Sequence, residues 1–285
     1  MTAGRKGAVA AALCLLLLAA VGAPAAGAAP QRVVSLNLCT DELLLLLAGR
    51  ERIAAVSALA DDPVYSPATE LAEGLPETHG TAEEVLRLAP DLVLASRYSP
   101  SFTLELLRGQ GIPVVLVEQP DSLADSRQNL RQVAKALGME AEGETLLADF
   151  DARLRDAAAK AENLPGRRGL VLQARGYTHG AGSLIGELLA LAGIENIAAE
   201  LGYRGWAQIP LETLLRQQPE VIVVESQGQG DRSLAAAVLR HPALNSLDAE
   251  IVAVPERLWA CGSPFLAESL ERIVDGLLRG GAAKP

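Results

Sequence analysis

Aromatic side chains are scarce in this chain: three Phe, four Tyr and two Trp occur among 285 residues. The position of each therefore carries information. Three histidines are too few for the several His and carboxylate ligands that a zinc or manganese site needs. Basic residues are outnumbered, 25 Lys and Arg against 35 Asp and Glu, for a net charge of −10. This argues against nucleic acid or an anionic membrane surface as partner, since both require a basic patch. No phosphate-loop lysine, G-x-S-x-G elbow or zinc-spaced Cys/His cluster is present. The nearest approach to a dinucleotide loop, Gly180-Ala181-Gly182-Ser183-Leu184-Ile185-Gly186, is spaced G-x-G-x-x-x-G and lacks a following strand with an acidic end. Nor does any long polar or low-complexity tract suggest disorder.

Residues 1–29 have the three parts of an export signal. Arg5 and Lys6 form a basic start, Ala8 to Val21 an apolar run too short to span a bilayer, and Ala26-Gly27-Ala28 a small-residue cleavage site. Cys14 lies inside the apolar run rather than after it, which weakens a lipoprotein reading. Cleavage near Ala28 leaves 285 − 28 = 257 residues, enough for two compact lobes. Arg5 and Lys6 go with the signal, so 23 basic residues face 35 acidic ones and the net charge becomes −12. Two cysteines remain, Cys39 and Cys261, and in an oxidising compartment the pair permits either a disulfide or two free thiols.

Short β-branched runs alternate with helical patterns, the signature of parallel sheets with crossover helices. The expected fold class is α/β, with two lobes built on central parallel sheets and joined by one long helix. The lobes are expected at residues 30–139 and 164–285, with the linking helix over 140–163. In that helix Leu146, Leu147, Phe150, Leu154, Ala158 and Ala161 fall three or four apart and make one apolar stripe. Asp149/Arg153, Asp151/Arg155 and Asp156/Lys160 stand four apart on the charged face, which predicts ion pairs within the helix.

One block recurs in the two halves. Glu83–Ser96, EEVLRLAPDLVLAS, and Glu212–Ser226, ETLLRQQPEVIVVES, share a glutamate, six residues, a proline, an acidic residue and an apolar strand. Thr81 and Glu84 make a T-x-x-E capping box, so a helix starts there and stops before Pro90. Glu83 and Glu212 therefore lie in equivalent first turns. Taken singly, each complements a helix dipole. Matched in both halves, they let a two-lobed protein present one acid per lobe to a two-fold partner.

HGTAEEVLRLAPDLVLASR and the order lobe, long helix, lobe resemble the periplasmic binding proteins of ATP-driven importers for iron chelates, haem and vitamin B12. The likeness covers residues 31–280. It implies a ligand held between lobes that move little, and permease docking through a glutamate on each lobe, here Glu83 and Glu212. It also implies that Trp206 stands at the mouth of the cleft, while Thr78 falls where B12-binding members carry another tryptophan.

Loops that follow strands in such lobes face each other across the cleft. The first lobe offers Cys39, Thr40, Asp61, His79, Arg97 and Tyr98, and the second Arg175, Tyr177, His179, Trp206, Trp259 and Cys261. Trp rings suit a bulky ligand. Arg97, Arg175 and Arg204 suit carboxylates or phosphate. His79 and His179 approach from opposite lobes and are candidates to ligate a bound metal, while Cys39 and Cys261 either bridge the lobes or face the ligand as thiols.

The resulting expectation is a monomeric, non-enzymatic periplasmic protein that captures an iron chelate (siderophore or haem) or cobalamin and delivers it to an ABC transporter permease. It has no cofactor of its own, the ligand being an Fe or Co chelate, and no nucleic-acid partner. A zinc or manganese importer protein is the nearest alternative, and an exported α/β enzyme the next.

Overall fold

The computed structural model describes residues 29–226 and 235–280, so the export signal lies outside the described residues. The first lobe runs β1 (Val33–Ser35), α1 (Leu38–Leu47), β2 (Ile53–Ser57), α2 (Thr69–Ala72), β3 (Glu77–Thr78), α3 (Ala82–Arg87), β4 (Leu92–Ser96), α4 (Ser101–Gly109), β5 (Val114–Val117) and α5 (Leu123–Leu137). Its five strands are parallel in the order β3-β2-β1-β4-β5. After the long helix α6 (Glu140–Ala161) come β6 (Arg167–Leu172), β7 (Tyr177–His179), α7 (Leu184–Leu191), β8 (Ile194–Asn196), α8 (Ile197–Glu200), β9 (Trp206–Gln208), α9 (Leu211–Gln217), β10 (Val221–Ser226), β11 (Glu250–Pro255) and α10 (Leu266–Leu278). This second lobe has a parallel sheet ordered β11-β10-β6-β8 and, outside it, an antiparallel ribbon of β7 and β9.

The repeated block folds alike in both lobes. Glu83 is the second residue of α3 and Glu212 the second of α9, and both are exposed. Each helix stops at a residue in left-handed backbone, Ala89 at φ 45° and Gln218 at φ 47°, immediately before Pro90 and Pro219. Proline disfavours the right-handed helical conformation in the residue before it, so the chain turns there into the next strand. The capping box closes in a shifted form. Thr81 Oγ1 accepts from Glu84 N at 3.3 Å, but the Glu84 carboxylate accepts from His79 N at 2.9 Å and Thr78 Oγ1 at 3.0 Å rather than from Thr81.

The long helix does more than separate the lobes. Leu147, Phe150, Leu154, Ala157 and Ala161 are buried, and they belong to an apolar cluster that also holds Val33 and Leu94 of the first sheet and Val171 and Val223 of the second. Two smaller clusters cover the outer faces of the sheets. The middle layer, made with α5, α6 and α10, is thus common to both lobes. Gly143 lets α6 approach α5 closely, since a Cβ there would collide with the Ala134 methyl. The charges of α6 correct the expectation of pairs within the helix. Arg153 pairs with Glu271 of α10 at 2.8 Å and Asp151 with Arg127 of α5 at 2.8 Å. Flanked by helices on both sides, α6 has opposite charges closer on its neighbours than along its own surface.

The start of α1 is fixed by a side-chain cap. Asn37 is the N-cap, its side chain accepting from Cys39 N at 3.0 Å, so Cys39 and Thr40 already lie in the first turn.

Candidate functional site

Strand ends from both sheets converge on one cleft. Tyr98 after β4, Asp121 after β5, Gln173, Ala174, Arg175 and Tyr177 after β6, Glu225 at the end of β10 and Trp259 after β11 line a cavity of about 630 Å³. In the first sheet the strand order reverses between β1 and β4, where diverging loops leave a crevice. A smaller cavity of about 40 Å³ beside it is lined by Cys39, Thr40, Tyr98, Gln119, Pro120 and Cys261, among others.

The ribbon of β7 and β9 forms one wall. His179 is paired with Trp206 and Tyr177 with Gln208. Side chains alternate along a strand, so Thr178 is fully buried in the lobe while Tyr177 and His179 face the cavity with Trp206. The Trp206 indole stacks on the Tyr177 ring, centroids 4.1 Å apart and planes 18° from parallel. Yet Trp206 remains 64% exposed, an uncovered aromatic face at the cleft. Such a stack contributes about 0.5–1.5 kcal/mol beyond area burial and fixes the ring's orientation. Gln173 Oε1 accepts from Trp206 Nε1 at 3.0 Å and lies 3.1 Å from His179 Nε2. Burial lowers the His179 pKa to about 4, so the ring is neutral at ordinary pH.

A tight turn brings Gln173 under the ribbon. Gln173 N donates to Tyr177 O at 2.8 Å and Gly176 N to Gln173 O at 3.1 Å, with Arg175 between them at φ 58°, ψ 15°. Left-handed backbone in a non-glycine residue costs roughly 1 kcal/mol. It leaves the Arg175 side chain exposed at the cavity wall.

Beside the cleft the lobes are clasped. Cys39 and Cys261 form a disulfide, with Cα atoms 4.9 Å apart. So joined, they present no thiol to a ligand. One turn along α1, the buried Glu42 carboxyl is hydrogen-bonded to the Ser263 hydroxyl. Burial, reinforced by the charge of Asp41, pushes the Glu42 pKa up to about 8 against the opposing hydrogen bond. Asp41 is raised to about 6, again by burial, with hydrogen bonds from Ser35 and Ser57 opposing. Gln119 Nε2 donates to Ala260 O at 3.1 Å, and Leu123 N to Glu187 Oε2 at 2.9 Å. Gly262, at φ +66°, sits where any Cβ would overlap Pro120 and press on Leu184.

Of the residues singled out in the sequence, Tyr98, Arg175, Tyr177, His179, Trp206 and Trp259 come together at the cavity. Trp259 is only 3% exposed and belongs to the shared apolar cluster, so it is mainly floor. Thr40 is fully buried and bonds Ser35 Oγ at 2.7 Å and Asn37 O at 2.8 Å, which leaves it a local structural role. Asp61, His79 and Arg97 correct the expectation that they line the cleft. Asp61 follows β2 and His79 follows the edge strand β3, both on the side of the sheet away from β4 and β5. His79 instead borders a groove beside Glu83. Arg97 is exposed and pairs with Glu118 at 3.4 Å. Arg204 does not line the main cavity. The cavity residues that sequence reasoning missed are Gln119, Asp121, Gln173, Glu225 and Glu256, all at or just past the carboxyl ends of strands. That position was the available signal.

Comparison with known proteins agrees with this architecture. The family described as "Periplasmic binding protein" matches residues 33–250. A vitamin B12-binding protein of Pectobacterium carotovorum is 29% identical over 260 residues, covering 89% of this chain and 90% of the relative. One from Yersinia pestis is 30% identical over 226 residues, 77% of this chain and 78% of the relative. Among solved structures, the periplasmic haem-binding protein RhuT from Roseiflexus sp. RS-1 is 27% identical with a TM-score of 0.71, covering 86% of this chain and 98% of that one. With the family match extending over most of both lobes and the helix between them, the chain belongs to the periplasmic binding protein family.

Proposed function

We propose that this protein captures a corrinoid in the cleft and delivers it to the permease of an ABC importer, without chemistry of its own. The observation that carries this reading is the open Trp206 face, backed by Tyr177 and set among hydrogen-bond acceptors. A bulky ring system covers such a face and recovers the stabilisation that an exposed indole forgoes. Around it stand the Asp121 carboxylate and the Gln119 amide. Glu225 and Glu256, each engaged in an interaction of its own, add two more carboxylates. Arg175 is the one guanidinium among the described lining residues. The peripheral primary amides of a corrinoid donate to such acceptors. The two propionates of a haem bring like charge toward them and call for cations.

Relatives named as vitamin B12-binding proteins support the corrinoid, and the haem-binding neighbour supplies the competitor. The alternative of a zinc or manganese carrier has no comparable support, since no group of three or more His, Cys, Asp or Glu able to hold an ion occurs among the described residues. Titration of purified protein with cyanocobalamin and with haem, read by tryptophan quenching and absorbance, tests the choice. Cyanocobalamin is expected to bind at least about tenfold tighter, a difference of about 1.4 kcal/mol. Tighter haem binding would overturn it.

Delivery is assigned to the matched acids. Glu83 and Glu212 stand exposed on equivalent first turns, one per lobe, and this matched exposure supports pairing with arginines of a two-fold permease.

A further inference from the structure

One amide oxygen joins two side chains of the cleft wall, and elementary donor–acceptor accounting fixes all three groups. The Trp206 indole nitrogen can only donate, so the Gln173 atom 3.0 Å away must be the oxygen, which only accepts. The His179 Nε2 atom is 3.1 Å from that same oxygen and must therefore carry a proton as well. A neutral imidazole with its proton on Nε2 keeps its lone pair on Nδ1. Burial holds the ring neutral, consistent with this assignment. The backbone is fixed alongside: Asn196 Nδ2 donates to His179 O at 2.7 Å, and Gly180 approaches the Tyr203 carbonyl so closely that no Cβ fits.

We propose that Gln173 is a positioning residue for ligand capture. Its single amide oxygen pins the Trp206 ring against Tyr177 and sets His179 as the Nε2–H tautomer, which leaves Nδ1 as the acceptor for an amide N–H of the ligand. The part played by the ligand rests on the reading of this cleft as the binding site. The tautomer does not, and it can be measured in the ligand-free protein. Gln173 contributes through the two rings it holds, and a preset wall loses less freedom on binding than a mobile one.

The chain has three histidines, so imidazole 15N resonances can be assigned by removing His79 and His241. At pH 7 the expected His179 signals are those of an Nε2–H tautomer, and Nδ1–H signals would overturn the proposal. Gln173→Leu is expected to mix the tautomers and to weaken cyanocobalamin binding about tenfold, the size of one hydrogen bond lost with its indole donor left unpaired. Gln173→Glu keeps acceptor oxygen at the same place. At pH 8 it should hold both the Nε2–H tautomer and affinity within about threefold of wild type, as expected when the bond geometry is retained. Should Gln173→Leu melt far below wild type, Gln173→Glu and Gln173→Asn carry the test. The Asn side chain is one methylene too short to reach both rings, so it is expected to behave like Leu. Equal affinity and tautomer across all three variants would overturn the role of Gln173. If the wild-type protein shows the Nε2–H tautomer but binds neither cyanocobalamin nor haem, the reading of the cleft has failed and the ligand half of this proposal falls with it.

Discussion

The two lobes share a plan and differ in what they bring to the cleft. Both contain a parallel sheet and the same glutamate–proline–strand block, down to a left-handed residue before each proline. Only the second lobe has an antiparallel ribbon outside its sheet, and that ribbon supplies Tyr177, His179 and Trp206. The first lobe contributes the exposed Tyr98 and the turn after β5. On the proposed function, the repetition suits docking, where a partner with two-fold symmetry needs two like surfaces. A single asymmetric ligand needs no such likeness, and the aromatic groups proposed to receive it are concentrated on one side.

The largest expected effect tests where the lobes are alike. Reversing charge at both Glu83 and Glu212, each to Arg, should abolish corrinoid-dependent uptake in cells while leaving ligand affinity of the purified protein unchanged. Each single reversal should impair uptake comparably, and normal transport in the double variant would remove the docking role. The next tests where they differ. Trp206→Ala should weaken cyanocobalamin binding by about 2 kcal/mol, roughly 30-fold, whereas Tyr98→Ala should cost well under 1 kcal/mol. Calorimetric titration of both variants measures the ratio, and equal losses would show that the lobes share the ligand evenly.

The smallest effect concerns buried titratable groups, whose signs oppose. Asp41 and Glu42 of the first lobe have raised pKa values, so the folded state holds protons that the unfolded state releases. Their contribution is full at acid pH and is lost as pH rises, for Glu42 between its ordinary 4.5 and about 8. His179 of the second lobe has a lowered pKa, so its contribution is full above 6.5 and is lost as pH falls toward about 4. Glu42→Gln, neutral at every pH, should flatten the decline in melting temperature from pH 5 to 8 and leave the acid side unchanged. An unaltered alkaline slope would contradict the assignment to Glu42.

How much of this was legible in the sequence depends on the range of the signal. The stripe of Leu147, Phe150 and Leu154 on α6 follows from local periodicity, and the structure has it. Tyr177, His179 and Trp206 are expected in loops but lie on β7 and β9, which are three residues each and too short for alternation to register. His79 and Asp61 follow strands, the local signal for a cleft residue, but which strands border the partner lobe is set by the order β3-β2-β1-β4-β5 and not by any local pattern. Glu42 adjoins the apolar run Leu43–Leu47, and nothing local sets it apart from any other helix residue. Its significance depends on Ser263, 221 residues away. Gln173 gave no compositional signal, since its role comes from two side chains that meet at one oxygen.

The bond between Cys39 and Cys261 has a topological consequence. It closes a covalent ring across a sequence separation of 222, which takes in most of both lobes and all of the helix between them. Two independent covalent paths then connect the lobes, the polypeptide through α6 and the sulfur bridge. One backbone scission anywhere within the ring opens it into a line without releasing either lobe, and a second scission is needed to part them. With respect to a single proteolytic nick, the linker helix is therefore not a point of failure.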